Sequence, residues 1–224
     1  VKDGFAQDLA RMAQVLHDQP DVEQTAERFL EFVLTALATN HASVVLTQRA
    51  GRLEPAVSTD ALVEEADRLQ VELGEGPAYD AVQEERSVLS GNAAADERWP
   101  RWSAEMTEVA LRSVLSVRLR TPTRTVGVLN LFDPATDRFG ESDDVTAQMY
   151  ADHAAVAVAN ARSESSLWEA IDSRRLVGQA QGILMERFGL TDEQAFAVLR
   201  RYSQDNNVRL REVAERLIRT RKLS

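Results

Sequence analysis

Arg112-Ser113-Val114-Leu115-Ser116-Val117-Arg118-Leu119-Arg120, and after a short link Val126-Gly127-Val128-Leu129-Asn130-Leu131-Phe132, decide the fold class. The first run alternates apolar and polar residues from Leu115 onward, the period-two pattern of a strand with one wet face. The second is nearly all apolar. Only Thr121 to Thr125 separate them, with Pro122 in the turn. Strands joined by so few residues pair antiparallel, because a parallel crossover takes a dozen or more.

Reading toward the N-terminus, the same logic continues. Residues 42–48 and 53–58 form two strands of a hairpin around Arg49-Ala50-Gly51-Arg52. Residues 21–40 carry Val22, Ala26, Phe29, Leu30, Val33, Leu34 and Leu37 at helical spacing. Residues 62–71 give a short helix, Gly74-Glu75-Gly76-Pro77 a turn, and residues 78–85 another short helix. A brief strand at 87–90 leads into a long polar loop that holds Trp99 and Trp102. An α+β unit results, an antiparallel sheet with flanking helices.

Beyond Ser142 the strand signals stop. Ser142 can cap a helix whose first turn holds Asp143 and Asp144, favourable at the positive end of the helix dipole. No Gly or Pro interrupts residues 142–177, and the pattern runs on to Phe188. At 1.5 Å per residue such a helix is roughly 70 Å long. One small domain cannot bury it, so it is either a coiled-coil stalk or a rod between domains. Gly189 fits the position after a helix end, and Thr191-Asp192-Glu193-Gln194 matches a capping box. Ala195, Phe196, Leu199 and Tyr202 form one apolar stripe, and Leu210, Val213, Ala214, Leu217 and Ile218 a second, with a break at Asp205-Asn206-Asn207. With Leu176, Ala180, Ile183 and Leu184 they make an all-α three-helix bundle. The division expected is 1–162, including an N-terminal helix and the start of the linking helix, and 163–224.

Composition sets the outer limits. The 224 residues are 44% hydrophobic and 28% charged, which fits a globular chain of one large or two small domains. No run approaches the apolar length of a bilayer span, and the first residues lack the pattern of a secretory signal, so the cytoplasm is expected. Cysteine is absent, which excludes disulfides, thiolate metal sites and thioether-linked chromophores. The histidines, His17, His41 and His153, are far apart, so neither metal nor cofactor is expected. Net charge is −10, yet it is uneven. Residues 1–162 have 15 basic and 27 acidic side chains, whereas residues 200–224 have eight basic and three acidic. A basic end on an acidic body is either a solvated helix face or a surface for phosphate.

A helical wheel of residues 174–186 sharpens that choice. Leu176, Ala180, Ile183 and Leu184 cluster on the core side, and Arg174, Gly178, Gly182 and Met185 lie opposite, with Arg175 and Gln181 at the edges. Two glycines off the core cost about 1 kcal/mol each against alanine. A flat strip of small residues flanked by arginines admits a close partner, either another helix or a nucleic acid. Arg200, Arg201, Arg209 and Arg211 add positive charge on the later helices.

The segments Arg174-Arg175-Leu176-Val177-Gly178-Gln179-Ala180-Gln181-Gly182-Ile183-Leu184-Met185, Ala195-Phe196-Ala197-Val198-Leu199-Arg200-Arg201-Tyr202-Ser203-Gln204 and Leu210-Arg211-Glu212-Val213-Ala214 resemble the ANTAR family, three-helix RNA-binding output domains of bacterial antiterminators. The resemblance covers about 165–222. Gln181 departs from it, since the family commonly has lysine there. Residues 20–162 resemble a GAF domain, a small-molecule sensory fold, through Leu73-Gly74-Glu75-Gly76-Pro77, Asp96-Glu97-Arg98-Trp99-Pro100, Arg112-Ser113-Val114-Leu115-Ser116-Val117 and Gly127-Val128-Leu129-Asn130-Leu131.

Together these resemblances imply an RNA-binding antitermination regulator that recognises paired hairpins in a nascent transcript, with the GAF unit as sensor and dimerisation module. Two hairpins suit two output domains, hence a homodimer through the long helix and the GAF unit. Sequence-specific RNA reading favours loops, whose bases are unstacked. The resemblance implies phosphate contacts from Arg174, Arg175, Arg201 and Arg209, with Arg200 and Arg211 also on the RNA-binding surface, base-edge contacts from Gln179, Gln181 and Ser203, and a loop base admitted at Gly178, Gly182 and Met185. Tyr202 either stacks on a base or packs in the core. Pro77, Tyr79, Trp99 and Trp102 are candidates for a GAF ligand pocket, and the tryptophans serve equally as packing for a long loop.

Three rival readings stay open at this point. A helical bundle with a basic face also suits DNA, although Asp205-Asn206-Asn207-Val208 lacks a glycine turn and Glu212 and Glu215 put acid on the last helix. A purely structural dimer would pack the glycine strip helix to helix. An enzyme finds the least support, because Asp133, Asp137, Asp143 and Asp144 read as a loop and a helix start, with no nucleophile elbow or phosphate loop.

Overall fold

In the computed structural model the two decisive runs are strands β4 (Ser113–Arg120) and β5 (Thr125–Asp133), paired antiparallel with Leu115 opposite Leu131 and Val117 opposite Leu129. The structure describes residues 2–48, 51–84 and 86–222, with the side chains of residues 2–4 and 169 not included. Arg49 and Ala50 of the expected hairpin turn and Glu85 of the expected short helix lie outside the described residues. The described chain divides into two compact units, Val1–Arg162 and Ser163–Ser224.

The first unit is built on one five-stranded antiparallel sheet. β1 (His41–Thr47) pairs with β5 on one side and with β2 (Leu53–Ser58) on the other, and β3 (Val88–Ser90) borders β4. Gly127 marks the closest approach within it. A Cβ built there would lie 2.5 Å from the Val45 carbonyl oxygen across the β1–β5 pair, so no larger residue fits without moving backbone.

Helices cover both faces of the sheet. On one side lie α1 (Lys2–His17), α2 (Val22–Leu37) and the first half of α6 (Glu141–Phe188), whose Ala147, Ala151, Ala154 and Ala155 let it sit close against Leu115, Val117, Leu129 and Leu131. On the other side lie α3 (Ala61–Leu73), α4 (Pro77–Gln83) and α5 (Pro100–Glu105), over Val45, Val114, Val128 and Phe132. Asp21 and Asp60 cap α2 and α3 by accepting backbone N–H bonds.

Four local expectations need correction. The polar face of β4 is wet only at its end: Arg118 is half-buried and Arg120 exposed, whereas Ser116 is fully buried under the helices of the second side, with its Oγ donating to Asn130 Oδ1 at 2.6 Å. The polar loop after β3 contains a 3₁₀ turn (Ala93–Ala95) and α5, which starts on Pro100 where the missing N–H costs nothing. Ser142 is not a cap, since α6 already begins at Glu141 and Asp143 Oδ2 accepts the Gly140 N–H at 2.9 Å. Phe196 is 38% exposed: Ala195, Leu199 and Tyr202 define the covered strip and Phe196 falls beyond its edge.

The second unit comprises the end of α6 with α7 (Asp192–Asp205) and α8 (Leu210–Thr220). Its core is Val177, Ala180, Leu184, Ala195, Leu199, Val213, Ala214 and Leu217, with Leu176, Ile183 and Tyr202 half-buried against it. Gly189 ends α6 at φ +63° with its N–H bonded to the Met185 carbonyl, and both halves of the Thr191–Gln194 capping box are present.

Candidate nucleic-acid interface

The face of α6 turned away from the Val177–Ala180–Leu184 core presents Arg174, Arg175, Gly178, Gly182 and Met185, all exposed. A Cβ built on Gly178 or Gly182 meets nothing within 4 Å. Packing inside the described chain therefore does not demand glycine at either site, and their helix-propensity cost is uncompensated there. Met185 is 37% exposed on the same face, and Gln179 is exposed beside it.

The arginines fall into two groups. Arg174, Arg200 and Arg209 form no hydrogen bond or ion pair among the described residues. Arg175 and Arg211 converge on one carboxylate. Arg175 Nη2 donates to Asp172 Oδ1 at 2.7 Å and Arg211 Nη2 lies 3.1 Å from Asp172 Oδ2, joining α6 to α8. The hydrogen bond from Arg175 is the chief reason that the Asp172 carboxyl titrates below its ordinary range. Arg211 Nε also donates to Glu215 Oε1 at 2.9 Å, and Arg201 Nε lies 3.5 Å from Asp205 Oδ2 within α7. No hydrogen bond or ion pair links Arg200 or Arg201 to α6 among the described residues.

Two of the three polar candidates are already engaged. Gln181 Nε2 donates to Asp192 Oδ1 at 2.6 Å, tying α6 to the first turn of α7. Ser203 Oγ donates to the Val208 carbonyl at 2.6 Å, closing the α7–α8 turn. Tyr202 is half-buried against the bundle core.

The four residues considered for a GAF pocket lie in different settings. Trp99 and Trp102 are 2% and 0% exposed and meet edge to face, with ring centroids 5.7 Å apart. Their indole N–H groups donate to Asp80 Oδ2 at 2.8 Å and to the Ala66 carbonyl at 3.1 Å, so both rings lie in the core over the sheet. Pro77 is buried at the start of α4. Tyr79, half-buried, lines a surface cavity of about 380 Å³ with Gln48, Arg52, Leu53, Glu54 and Val71.

Sequence reasoning missed two features. One is Asp172, whose role depends on α8 folding back against α6. The other is a buried polar cluster under the sheet. Asp67 of α3 is fully buried, and its Oδ1 accepts from Asn130 Nδ2 at 2.9 Å and Gln70 Nε2 at 3.3 Å. Burial pushes this carboxyl up to about 7, against the opposing effect of nearby Ser43, Asn130 and Gln70. The Ser43 hydroxyl lies close without hydrogen-bond geometry, and among the described residues neither it nor Asp67 Oδ2 has a hydrogen-bond partner. An aspartate at helical spacing from Val63, Ala66 and Gln70 on a covered face was the available signal. Among the described residues there is no group of acidic and histidine side chains that could hold a metal, and no helix long and apolar enough to cross a membrane.

Comparison with known proteins follows the same division. Residues 19–159 match the GAF domain family and residues 165–218 match the ANTAR domain family. Among solved structures, the GAF domain of an Acinetobacter phosphoenolpyruvate-protein phosphotransferase superposes with TM-score 0.58 at 18% identity, covering 72% of this chain and 97% of that one. The corresponding domain from Coxiella burnetii gives 0.58 at 17%, covering 72% and 96%. A free methionine-R-sulfoxide reductase from Neisseria meningitidis gives 0.54 at 17%, covering 71% and 91%. At such identities the likeness is one of fold. No curated protein matches the chain. With one family spanning more than half of its length and the other spanning the helical bundle, the chain belongs to the GAF domain family and carries an ANTAR domain after it.

Proposed function

We propose that this chain is a non-catalytic regulator that binds hairpin RNA through its ANTAR unit to control transcription antitermination, with the GAF unit as sensor. The observation that carries the reading is the α6 face of Gly178, Gly182 and Met185. It is open and unused by packing, and it is flanked by Arg174 and Arg175. A glycine surface lets an unstacked loop base come within contact of the helix backbone while the guanidinium groups meet phosphates. In this reading Arg174, Arg200, Arg201 and Arg209 supply the sequence-independent attraction, and Gln179 is the base-edge donor still free to act. Gln181 and Ser203 would have to exchange an internal bond for an RNA one.

Two chains present two such faces to two hairpins. The exposed Leu167, Trp168 and Ile171 of α6 support pairing through that helix, since three large apolar side chains within little more than one turn need cover. A sensor ligand can act on RNA binding only by favouring one arrangement of the paired helices over another.

The test is titration of the full chain with an RNA of two short hairpins at several salt concentrations, beside a scrambled-loop RNA and an Arg174→Ala/Arg201→Ala variant. Loop-dependent binding that the variant loses supports the reading. Equal binding to both RNAs reduces it to electrostatics, and binding of duplex DNA in preference to the hairpins would replace it.

A further inference from the structure

We infer that the junction of α6 and α8 is a seat for an RNA phosphodiester, which Asp172 occupies in the free protein with its own carboxylate. The inference rests on the RNA-binding reading above and adds to it a second point of contact, at the Arg175 edge of the glycine face, together with a residue that sets its strength.

The geometry is that of one anion shared by two guanidinium groups from different helices. Arg175 Nε and Nη2 reach Asp172 Oδ1 at 3.2 and 2.7 Å, while Arg211 Nη2 reaches Oδ2 at 3.1 Å. A phosphodiester carries a single negative charge and two non-bridging oxygens, so it offers the same two acceptors to the same two donors. Glu215 accepts from the Nε of Arg211, and the Nη2 atom of the same guanidinium lies against Asp172. Beside this pair runs a cleft of about 510 Å³ lined by Ser166, Ala170, Ser173, Arg209, Arg211 and Glu212. Among the described residues its lining offers two hydroxyls, two guanidinium groups and one acid. α8 opens at Arg209 without a side-chain cap, so the positive end of its dipole adds to the field. Arg211 belongs both to this cleft and to the Asp172 ion pairs, so a polyanion in the cleft meets one of the two guanidinium groups that hold the carboxylate.

All three charged side chains are between 38% and 59% exposed, and ion pairs at such exposure are weak and readily exchanged. Phosphate therefore displaces the carboxylate at little cost, and the displaced charge continues to repel the RNA. Asp172 thus acts as an internal competitor. It keeps Arg175 and Arg211 together in the free protein and limits how tightly any polyanion is held.

The test compares the full chain with Asp172→Asn, Arg175→Ala/Arg211→Ala, and the triple variant, using two-hairpin RNA across a salt series. Thermal melts confirm that each variant folds. Asp172→Asn is expected to bind about three- to tenfold tighter, with a salt slope steeper by about one phosphate contact. The double variant is expected to weaken binding, and Asp172→Asn to give no gain on that background. Unchanged or weaker binding by Asp172→Asn, where the parent chain binds the hairpins loop-dependently, overturns the inference. If the parent chain shows no loop-dependent binding, the RNA reading fails by itself. The seat is then judged by titrating Asp172→Asn with inorganic phosphate and following arginine Nε–Hε NMR signals. Shifts confined to Arg175 and Arg211 sustain it, and their absence removes it.

Discussion

The side-chain amide of Asn130, on the central strand, donates to the carboxylate oxygen Oδ1 of Asp67 at 2.9 Å, joining the sheet to α3 through a fully buried pair. Ser116 Oγ donates in turn to Asn130 Oδ1 at 2.6 Å, so the cluster fixes the amide's orientation. The other oxygen of Asp67 has no hydrogen-bond partner among the described residues, with the Ser43 hydroxyl close by but out of hydrogen-bond geometry. A buried carboxylate in that state is costly, whereas a neutral carboxyl can use its own O–H.

A pH dependence of stability follows. The Asp67 carboxyl titrates near 7 in the folded chain, against an ordinary value of 3.8. Between those limits the folded state binds the extra proton, so stability falls as pH rises from about 4 to 7 and levels off above. Three pH units correspond to at most ~4 kcal/mol. Asp67→Asn, neutral throughout, is expected to flatten this slope and to melt higher than the parent chain at pH 8. The check is chemical denaturation at half-unit steps from pH 5 to 8, and equal slopes in the two proteins would remove Asp67 as the cause.

Trp102 gives a second prediction. Its ring is fully buried against Trp99 and its N–H is bonded to the Ala66 carbonyl, so it ties α5 to α3. Trp102→Ala is expected to destabilise the GAF unit by about 3–5 kcal/mol, the range for a large buried aromatic. Trp99→Phe keeps most of the ring but leaves Asp80 without the indole donor, and is expected to cost about 1–2 kcal/mol. Urea unfolding monitored by far-UV circular dichroism measures both.

The tryptophans also mark where the sequence is legible and where it is not. β4, β5, the β1–β2 hairpin and all three bundle helices follow from periodicity and caps, because apolar spacing and the Thr191–Gln194 box are local signals. The segment around Trp99 and Trp102 reads as polar loop because its apolar side chains are few, and their burial depends on α3 and α4 arriving over the same face of the sheet. The burial of Ser116 on the expected wet face was hidden for the same reason. In the bundle, the open glycine face could be drawn on a wheel. The Arg175–Asp172–Arg211 junction could not, since it joins residues 36 positions apart in sequence.

Gly127→Ala tests the tightest backbone contact in the sheet. The new methyl would approach the Val45 carbonyl to 2.5 Å, and the obstacle is backbone, which cannot turn aside as a side chain can. We expect loss of about 2–4 kcal/mol or failure to accumulate folded protein, on the scale of overpacked cores. Gly51→Ala is an unsuitable control because its φ is +73°. Gly140→Ala, with only a 4.0 Å contact to Asp143, should be nearly silent.

Gly178→Ala/Gly182→Ala separates folding from recognition. Both positions lie inside α6 with nothing within 4 Å of the added methyl, so the exchange should stabilise the helical bundle by up to about 1 kcal/mol per site. Hydrogen exchange of α7 and α8 amides reads that gain as slower opening. The same two methyl groups stand on the face assigned to the loop base, where they would hold it off the helix backbone. Hairpin affinity is therefore expected to fall about tenfold while the protein becomes more stable. Had these glycines a purely structural use, stability and binding would move in the same direction, so a stabilised variant that still binds the hairpins fully would take the recognition surface off this face of α6.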